Sequence, residues 1–147
     1  MFNKRSKTEI LVVAITLMVI VVFAGFNFRI SQIKARDIQR KNDLKHIRAA
    51  LNDYFKKYEY YPTELSDPTL TDFIHPLPRD PKNGQGSEYL FSSNGKAFQL
   101  FASLEQKDEI EYNEKVAKKG LKCGTRICNV GLSSSLDVKL LEDLATV

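Results

Sequence analysis

The residue types that most often carry catalysis are scarce in this chain of 147 residues. The two histidines, His46 and His75, have no acid and nucleophile nearby in the sequence that would suggest a catalytic triad. No glycine-rich phosphate-binding loop is present, and Gly84-Gln-Gly86 is better explained as a turn. We therefore predict that the protein is not an enzyme, with no catalytic residue and no cofactor.

Metal-binding patterns are equally weak. Asp67, Asp72 and Asp80 lie among prolines without the alternating spacing of a calcium loop, so each is expected to be a solvated loop residue or a satisfied neighbour of the core. Cys123 and Cys128 are too few for a structural zinc site, and their four-residue separation differs from that of a redox dithiol. We predict no metal site. If this region lies outside the cytoplasm, a local disulfide is the simplest interpretation.

An uncharged, strongly apolar segment runs from Ile10 to Phe26. As a helix, these 17 residues would span roughly 25 Å, close to the thickness of a bilayer core. A cleaved secretory signal is the alternative, but it would need a shorter apolar core and a small-x-small cleavage site. We predict a basic segment over residues 1–8 and a retained transmembrane helix over residues 9–28.

Glu9 stands at the mouth of the apolar segment. It is either a carboxylate at headgroup level, satisfied by water and nearby lysines, or one that pairs with a positive group on another chain. Positive residues flank both ends of the segment, but the short N-terminal side has no acid before Glu9. This favours a single-pass protein of the cytoplasmic membrane, with its N-terminus inside and its C-terminal region outside.

The charge is divided unevenly along the chain. Residues 1–61 hold 12 Lys and Arg against 5 Asp and Glu, whereas residues 62–147 hold 10 against 13. Because the basic half flanks an apolar segment, its expected partner is a membrane with anionic headgroups, and a nucleic-acid partner is unlikely on this pattern.

An amphipathic helix is predicted to continue from the membrane over residues 29–61. The apolar stripe with helical spacing consists of Ile30, Ile33, Leu44, Ile47, Leu51, Tyr54 or Phe55, and Tyr58. Asp37–Lys41 and Asp53–Lys57 are spaced as exposed i,i+4 pairs, and the stretch around Asp37, Arg40 and Lys41 is expected to lack a core. Pro62 is expected to end the helix.

A small globular head is predicted over residues 62–147. A proline-rich loop comes first, with a helical turn around Thr69–Phe73, and a β-hairpin follows over residues 88–104. Asn94-Gly95 is typical of a tight type I′ turn with two positive-φ residues. The fold class is therefore α+β, with the long helix packed against a small antiparallel sheet.

The tail of the head is patterned more weakly. The stretch from Glu105 to Lys122 is expected to be a loop or a frayed helix. Ser133–Ser135 are expected to cap a short C-terminal helix that carries four leucines, namely Leu136, Leu140, Leu141 and Leu144.

The order of these parts resembles the type IV pilin superfamily, most closely the major pseudopilins of type II secretion (type II secretion system protein G). The resemblance covers about Thr8 to Leu104. The segments that carry it are Glu9 before the apolar run, Lys34-Ala-Arg-Asp-Ile-Gln-Arg-Lys-Asn-Asp-Leu44, Ala50-Leu51 to Tyr61-Pro62-Thr63, Pro78-Arg79-Asp80-Pro81, and Tyr89 to Phe91.

The resemblance implies a pilin-like structural subunit of a type IV pilus or a type II secretion pseudopilus. Its implied partners are other pilin-like subunits and a secretion or pilus assembly platform, and its implied location is the membrane and an extracellular or periplasmic fibre. In that family the glutamate matched by Glu9 pairs with the N-terminal amine of a neighbour. The Cys123–Cys128 tail looks like a pilin's disulfide-closed end.

The chain departs from the family pattern in two places. Aligning on Glu9 puts Lys4 where the family precursor has the glycine of its cleavage site, and no glycine precedes Gly25. The tail after Glu105 also lacks the glycine- and aspartate-rich loop that binds calcium in secretion pseudopilins, so no calcium site is inferred. The first departure favours an alternative function: a membrane-anchored binding module that has the pilin-like fold and does not polymerise.

Overall fold

The computed structural model describes residues 7–134, which form an α+β fold with one long N-terminal helix and a small antiparallel sheet. The elements in chain order are α1 (Lys7–Tyr58), β1 (Leu90–Ser93), β2 (Phe98–Ala102), α2 (Glu114–Lys119), β3 (Lys122–Cys123), β4 (Arg126–Ile127) and β5 (Val130–Ser133). The chain divides into two units between Ala35 and Arg36, within the length of α1.

In the first unit, residues 7–35 are helical throughout, and nearly all of their side chains are exposed. The helix contains an 18-residue window with a mean hydropathy of 2.7, none of which is buried. Residues 7–134 therefore contain one helix, near the N-terminus, that is long and apolar enough to cross a membrane.

In the second unit, the apolar stripe of α1 forms one side of the main hydrophobic core. Leu44, Ile47, Leu51 and Tyr54 are buried, which confirms the helical spacing read from the sequence. The helix ends at Tyr58, earlier than expected, because Glu59 adopts a left-handed conformation with φ of 63°. Its backbone N–H still donates to the carbonyl of Phe55, so the last turn closes before the chain leaves the helix.

The main sheet has the strand order β1-β2-β5, and both strand pairs are antiparallel. Every residue of the central strand β2 is buried. Phe98, Leu100, Ala102 and Leu104 join the core that contains the α1 stripe. Strand β5, which no sequence signal predicted, completes the sheet on the other side of β2.

The predicted hairpin is present, but its turn differs from the expected type. Strands β1 and β2 are joined by the four residues 94–97, and only Gly95 among them has a positive φ, at 84°. The Asn94 side chain accepts hydrogen bonds from the backbone N–H groups of Lys96 (3.0 Å) and Ala97 (2.8 Å). Asn94 therefore supports the loop with its side chain and not with a left-handed backbone.

A second apolar cluster contains Phe101 of β2, Val116 of α2, and the two cysteines. Cys123 and Cys128 are joined by a disulfide that closes the β3–β4 ribbon. The helix α2 lies inside the stretch expected to be a loop or a frayed helix. Its first turn is capped by the Asn113 side chain, which accepts from the Lys115 and Val116 N–H groups.

The proline-rich loop contains two short 3₁₀ helices, Pro68–Asp72 and Asn83–Gln85. The first agrees with the helical turn expected near Thr69 and is capped by the side chain of Asp67. Gly86 ends the second with a φ of 79°, which confirms the turn predicted at Gly84-Gln-Gly86.

The expected cap at Ser133–Ser135 is wrong at its start, since Ser133 belongs to β5 and pairs with Gln99. Ser133 is the last residue of a strand at the edge of the sheet and does not cap a helix. The four leucines of the predicted C-terminal helix lie outside the described residues.

The disulfide ribbon packs closely on the loop that precedes β1. Gly124 has a φ of 71°, and a Cβ atom added there would overlap the carbonyl group of Gly86. That carbonyl accepts the backbone N–H of Thr125 at 2.7 Å. Both the backbone conformation and the close approach therefore require glycine at position 124.

We predict that Gly124→Ala lowers the free energy of unfolding by about 2 kcal/mol or more. The loss combines the cost of a left-handed backbone at a residue with a Cβ atom and the cost of overpacking against Gly86. The matched control is Gly95→Ala, which has the same positive φ but no atom within 4 Å of the added Cβ. It should cost only about 1 kcal/mol. Urea denaturation in detergent measures both, and equal losses would remove the packing argument.

Candidate functional site

The first candidate site is the apolar part of α1, which begins with Glu9. Glu9 lies in the first turn of the helix and its side chain is exposed. A carboxylate there is favoured by the positive end of the helix dipole. It lies next to a long apolar surface, where pairing with a cation on another chain would stabilise the carboxylate strongly.

The surface that follows Glu9 is apolar on all sides of the helix. Its large exposed side chains include Leu11, Met18, Val21, Phe23 and Phe26. Two polar side chains in this part of the helix donate hydrogen bonds to backbone carbonyls one turn earlier. Thr16 Oγ1 donates to the Val12 carbonyl and Asn27 Nδ2 to the Phe23 carbonyl, both at 2.8 Å. A helix that is apolar all round is stable only in lipid or among other helices.

The second candidate site is a buried ionic cluster in the second unit, centred on Arg40. The side chains of Arg40 and Asp37 are completely buried. The Arg40 guanidinium donates to both carboxylate oxygens of Asp80 (2.8 and 3.1 Å), to Asp37 (2.6 Å) and to Glu105 (3.0 Å). These contacts tie the helix to the proline-rich loop and to the chain that leaves β2.

Asp37 also binds the backbone directly. Its carboxylate accepts from the N–H groups of Glu105 (2.9 and 3.0 Å) and Gln106 (2.9 Å). Two backbone donors that follow the end of β2 are thereby satisfied by a side chain of α1. This fixes the direction in which the loop after β2 begins.

Glu105 is the point where the cations of the cluster meet. Arg36 donates to it in a bidentate arrangement (2.7 and 2.9 Å), and Lys82 Nζ donates at 2.7 Å. The cluster as a whole contains three cations and three carboxylates, namely Arg36, Arg40, Lys82, Asp37, Asp80 and Glu105. Its balanced charge is what allows it to be buried.

The electrostatics of the cluster favour the ionised state. Hydrogen bonds from Arg36 hold the pKa of Glu105 well below its ordinary value against the opposing effect of burial, with Lys82 and Arg40 contributing. Burial acts to raise the pKa of Asp80, but the hydrogen bonds from Arg40 and the Lys82 N–H outweigh it and lower the pKa. Burial acts to lower the pKa of Arg40, and its hydrogen bonds to Asp80 and Glu105 reverse this.

The predicted surface pairs on α1 are therefore wrong. Asp37 pairs with Arg40 instead of Lys41, and Lys41 reaches Glu109 (2.6 Å) and Glu111 (3.2 Å). The stretch expected to lack a core has a polar one, because the carboxylates that cover it come from distant parts of the chain. The only sequence signal was the interruption of the apolar stripe by charges.

The second predicted pair on α1 is also absent. Asp53 pairs with Lys56 at 2.7 Å, whereas Lys57 lies 3.8 Å from Asp72. The i,i+3 partner is one residue closer in sequence and is also a neighbour on the helix surface.

One further contact joins α1 to the sheet. The Tyr89 hydroxyl donates to the Asp43 carboxylate at 2.6 Å, and burial together with this bond raises the pKa of Tyr89. The bond satisfies a phenol that packs against the main core.

The remaining candidate residues do not converge on a reaction centre. His46 and His75 are both exposed and lie on different elements. Within residues 7–134, no group of three or more His, Cys, Asp and Glu side chains is arranged to hold a metal ion. The three carboxylates of the buried cluster surround a guanidinium instead.

Comparison with known proteins gives no match: neither a protein-family model, nor a curated protein, nor a solved structure is significantly similar to this chain.

We predict that Arg40→Met lowers the free energy of unfolding by about 3–5 kcal/mol, because it leaves Asp37 and Asp80 buried without their cation. The control is Lys56→Met, which removes an exposed pair on the same helix and should cost less than about 1 kcal/mol. Urea denaturation of the full-length protein in detergent provides the comparison. A similar loss in both variants would contradict a central role for Arg40.

We also predict a loss of stability in acid. The pKa values of Asp80 and Glu105 are lowered by folding, so the unfolded chain binds more protons as the pH falls. The stabilisation should be complete above about pH 5 and decrease progressively below the ordinary carboxyl pKa values of 3.8 and 4.5. Urea midpoints measured from neutral to acidic pH should show this decrease, and it should be weaker in Arg40→Met. An equal pH dependence in both proteins would argue against the cluster as its source.

Proposed function

We propose that this protein is a pilin-like structural subunit, anchored in a membrane by the first part of α1 and able to assemble through it. The observation that carries the proposal is the contrast within α1. Its first part is apolar on every side and is not buried by any part of residues 7–134, whereas its stripe from Leu44 onward is buried by a small antiparallel sheet.

The uncovered apolar surface fits both environments of a pilin-like subunit. In a bilayer its side chains contact lipid, and in a fibre they contact the equivalent helices of neighbouring subunits. The exchange replaces one apolar environment by another, so it depends on packing and on polar contacts instead of further burial from water.

Glu9 is the proposed specificity contact for assembly. Its carboxylate lies at the boundary of the apolar surface, where few polar groups compete for it. An amine or another cation from a neighbouring subunit would satisfy it and fix the axial register between two helices. The fibre would be that of a type IV pilus or a type II secretion pseudopilus, built from the cytoplasmic membrane with the head outside.

A second candidate is a membrane-anchored binding module that does not polymerise. The observation that favours it is the sequence ahead of Glu9, where no glycine provides the family's cleavage site. Without cleavage no new amine forms next to Glu9, and its proposed neighbour contact would be lost.

We predict that Glu9→Ala leaves membrane insertion unchanged and reduces fibre yield at least tenfold, roughly the effect of losing a contact worth about 1.4 kcal/mol per subunit. Insertion is measured by resistance to alkaline extraction, and fibre yield by electron microscopy and by the protein sheared from cells. The matched control is Glu88→Ala, an exposed acid of the head. Normal fibre yield in Glu9→Ala would exclude Glu9 from the assembly contact.

The intact mass of the protein purified from its native membrane separates the two candidates. Loss of the first few residues, with an added methyl group, would support the fibre subunit. A full-length mass together with an absence of fibres would support the anchored module.

A further inference from the structure

The loop between Glu105 and Asn113 carries an exposed acidic finger, which we define as residues 108–111. Its apex, Ile110, is 98% exposed. The acids on both sides of it, Glu109 and Glu111, bind the same ammonium group of Lys41 at 2.6 and 3.2 Å. The finger is thus held against α1 by its acids, while its one large apolar side chain is left in solvent.

Both ends of this loop are fixed by hydrogen bonds. The Asp37 carboxylate holds the N–H groups of Glu105 and Gln106, and the N–H of Asn113 donates to the carbonyl of Asn129 at 2.7 Å. A loop fixed in this way loses little conformational entropy when it binds a partner. Ile110 is therefore held in an exposed position by a loop whose two ends are fixed.

Beside the finger lies a basic cleft of about 430 Å³, lined by Lys107, Ala117, Arg126 and Ile127 among others. The side chains of Lys107 and Arg126 have no ion pair or hydrogen bond within the part of the chain that the structure describes. Ile127 is 46% exposed there. Glu105 also lines the cleft, and its carboxylate is already bound by three cations of the buried cluster.

We propose that the acidic finger of one copy of this protein docks into the basic cleft of a second copy. Asp108, the acid of the finger that Lys41 does not hold, meets the side chains of Lys107 and Arg126, and Ile110 contacts the apolar wall formed by Ala117 and Ile127. The finger does not fill its own cleft because Lys41 on α1 holds Glu109 and Glu111. An apolar contact ringed by complementary charges is the usual composition of a specific interface.

The contact is reciprocal. Lys107 and Tyr112 bracket the finger in sequence and also line the cleft, so the two surfaces lie side by side on the head. Two copies related by a twofold axis can place each finger in the other's cleft at the same time, which closes the contact at two copies. This inference goes beyond the proposed function, since a closed pair of heads does not itself propagate a fibre.

Cross-linking between two differently tagged copies tests the contact. One copy carries Ile110→Cys and the other Ala117→Cys, both in the full-length protein in detergent and in a Glu9→Ala background, which is expected to reduce assembly through α1. The control partner carries Lys115→Cys, which is exposed on α2 but does not line the cleft. Mild oxidation should give roughly tenfold more 110–117 than 110–115 product, as expected for a contact of about 1.4 kcal/mol.

A charge exchange then tests the specificity. Arg126→Glu in the Ala117→Cys copy should reduce the 110–117 product several-fold, and Asp108→Arg in the Ile110→Cys copy should restore it. Equal yields at positions 117 and 115, or a yield that neither charge reversal changes, would overturn the proposal. Any assembly through α1 that remains in the Glu9→Ala background contributes to the 110–117 and 110–115 products alike, so the difference between the two yields reports the contact between finger and cleft.

Discussion

The fold of the head depends on a single guanidinium, that of Arg40, being buried between three carboxylates. Two of these carboxylates come from distant positions in the chain, Asp80 in the proline-rich loop and Glu105 after β2. A charge removed from water is tolerated only when its partners are held in good geometry, so each segment that supplies a carboxylate must take a fixed position against α1. The third carboxylate, Asp37, extends this constraint to the backbone by binding two N–H groups.

The two parts of α1 meet opposite physical requirements with the same secondary structure. The early part has apolar side chains all round, and its most apolar 18 residues are not buried by any part of residues 7–134, an arrangement that suits lipid or the company of other helices. The later part has one apolar stripe that the sheet covers, with charged groups on the rest of its surface. Helical backbone hydrogen bonding suits both, so no break is needed between them.

The main sheet separates two apolar clusters that are stabilised in different ways. The cluster on α1 is large and rich in aliphatic and aromatic side chains, and it needs no covalent bond. The cluster of Phe101, Val116 and the two cysteines is small, and a disulfide holds the ribbon that covers it. A short ribbon of two-residue strands has few hydrogen bonds of its own, and the disulfide gives it a covalent link between its two strands.

The sequence by itself determined the features that depend on local patterns: the apolar segment, the helical stripe from Leu44 to Tyr58, the hairpin, and the 3₁₀ turns among the prolines. Tertiary structure alone decided that Asp37 and Arg40 are buried, that Lys41 holds the acidic finger, and that β5 joins the sheet. The physical reason is that periodicity reports which face of an element is apolar. It carries no information about which distant carboxylate will meet a charge that interrupts that face.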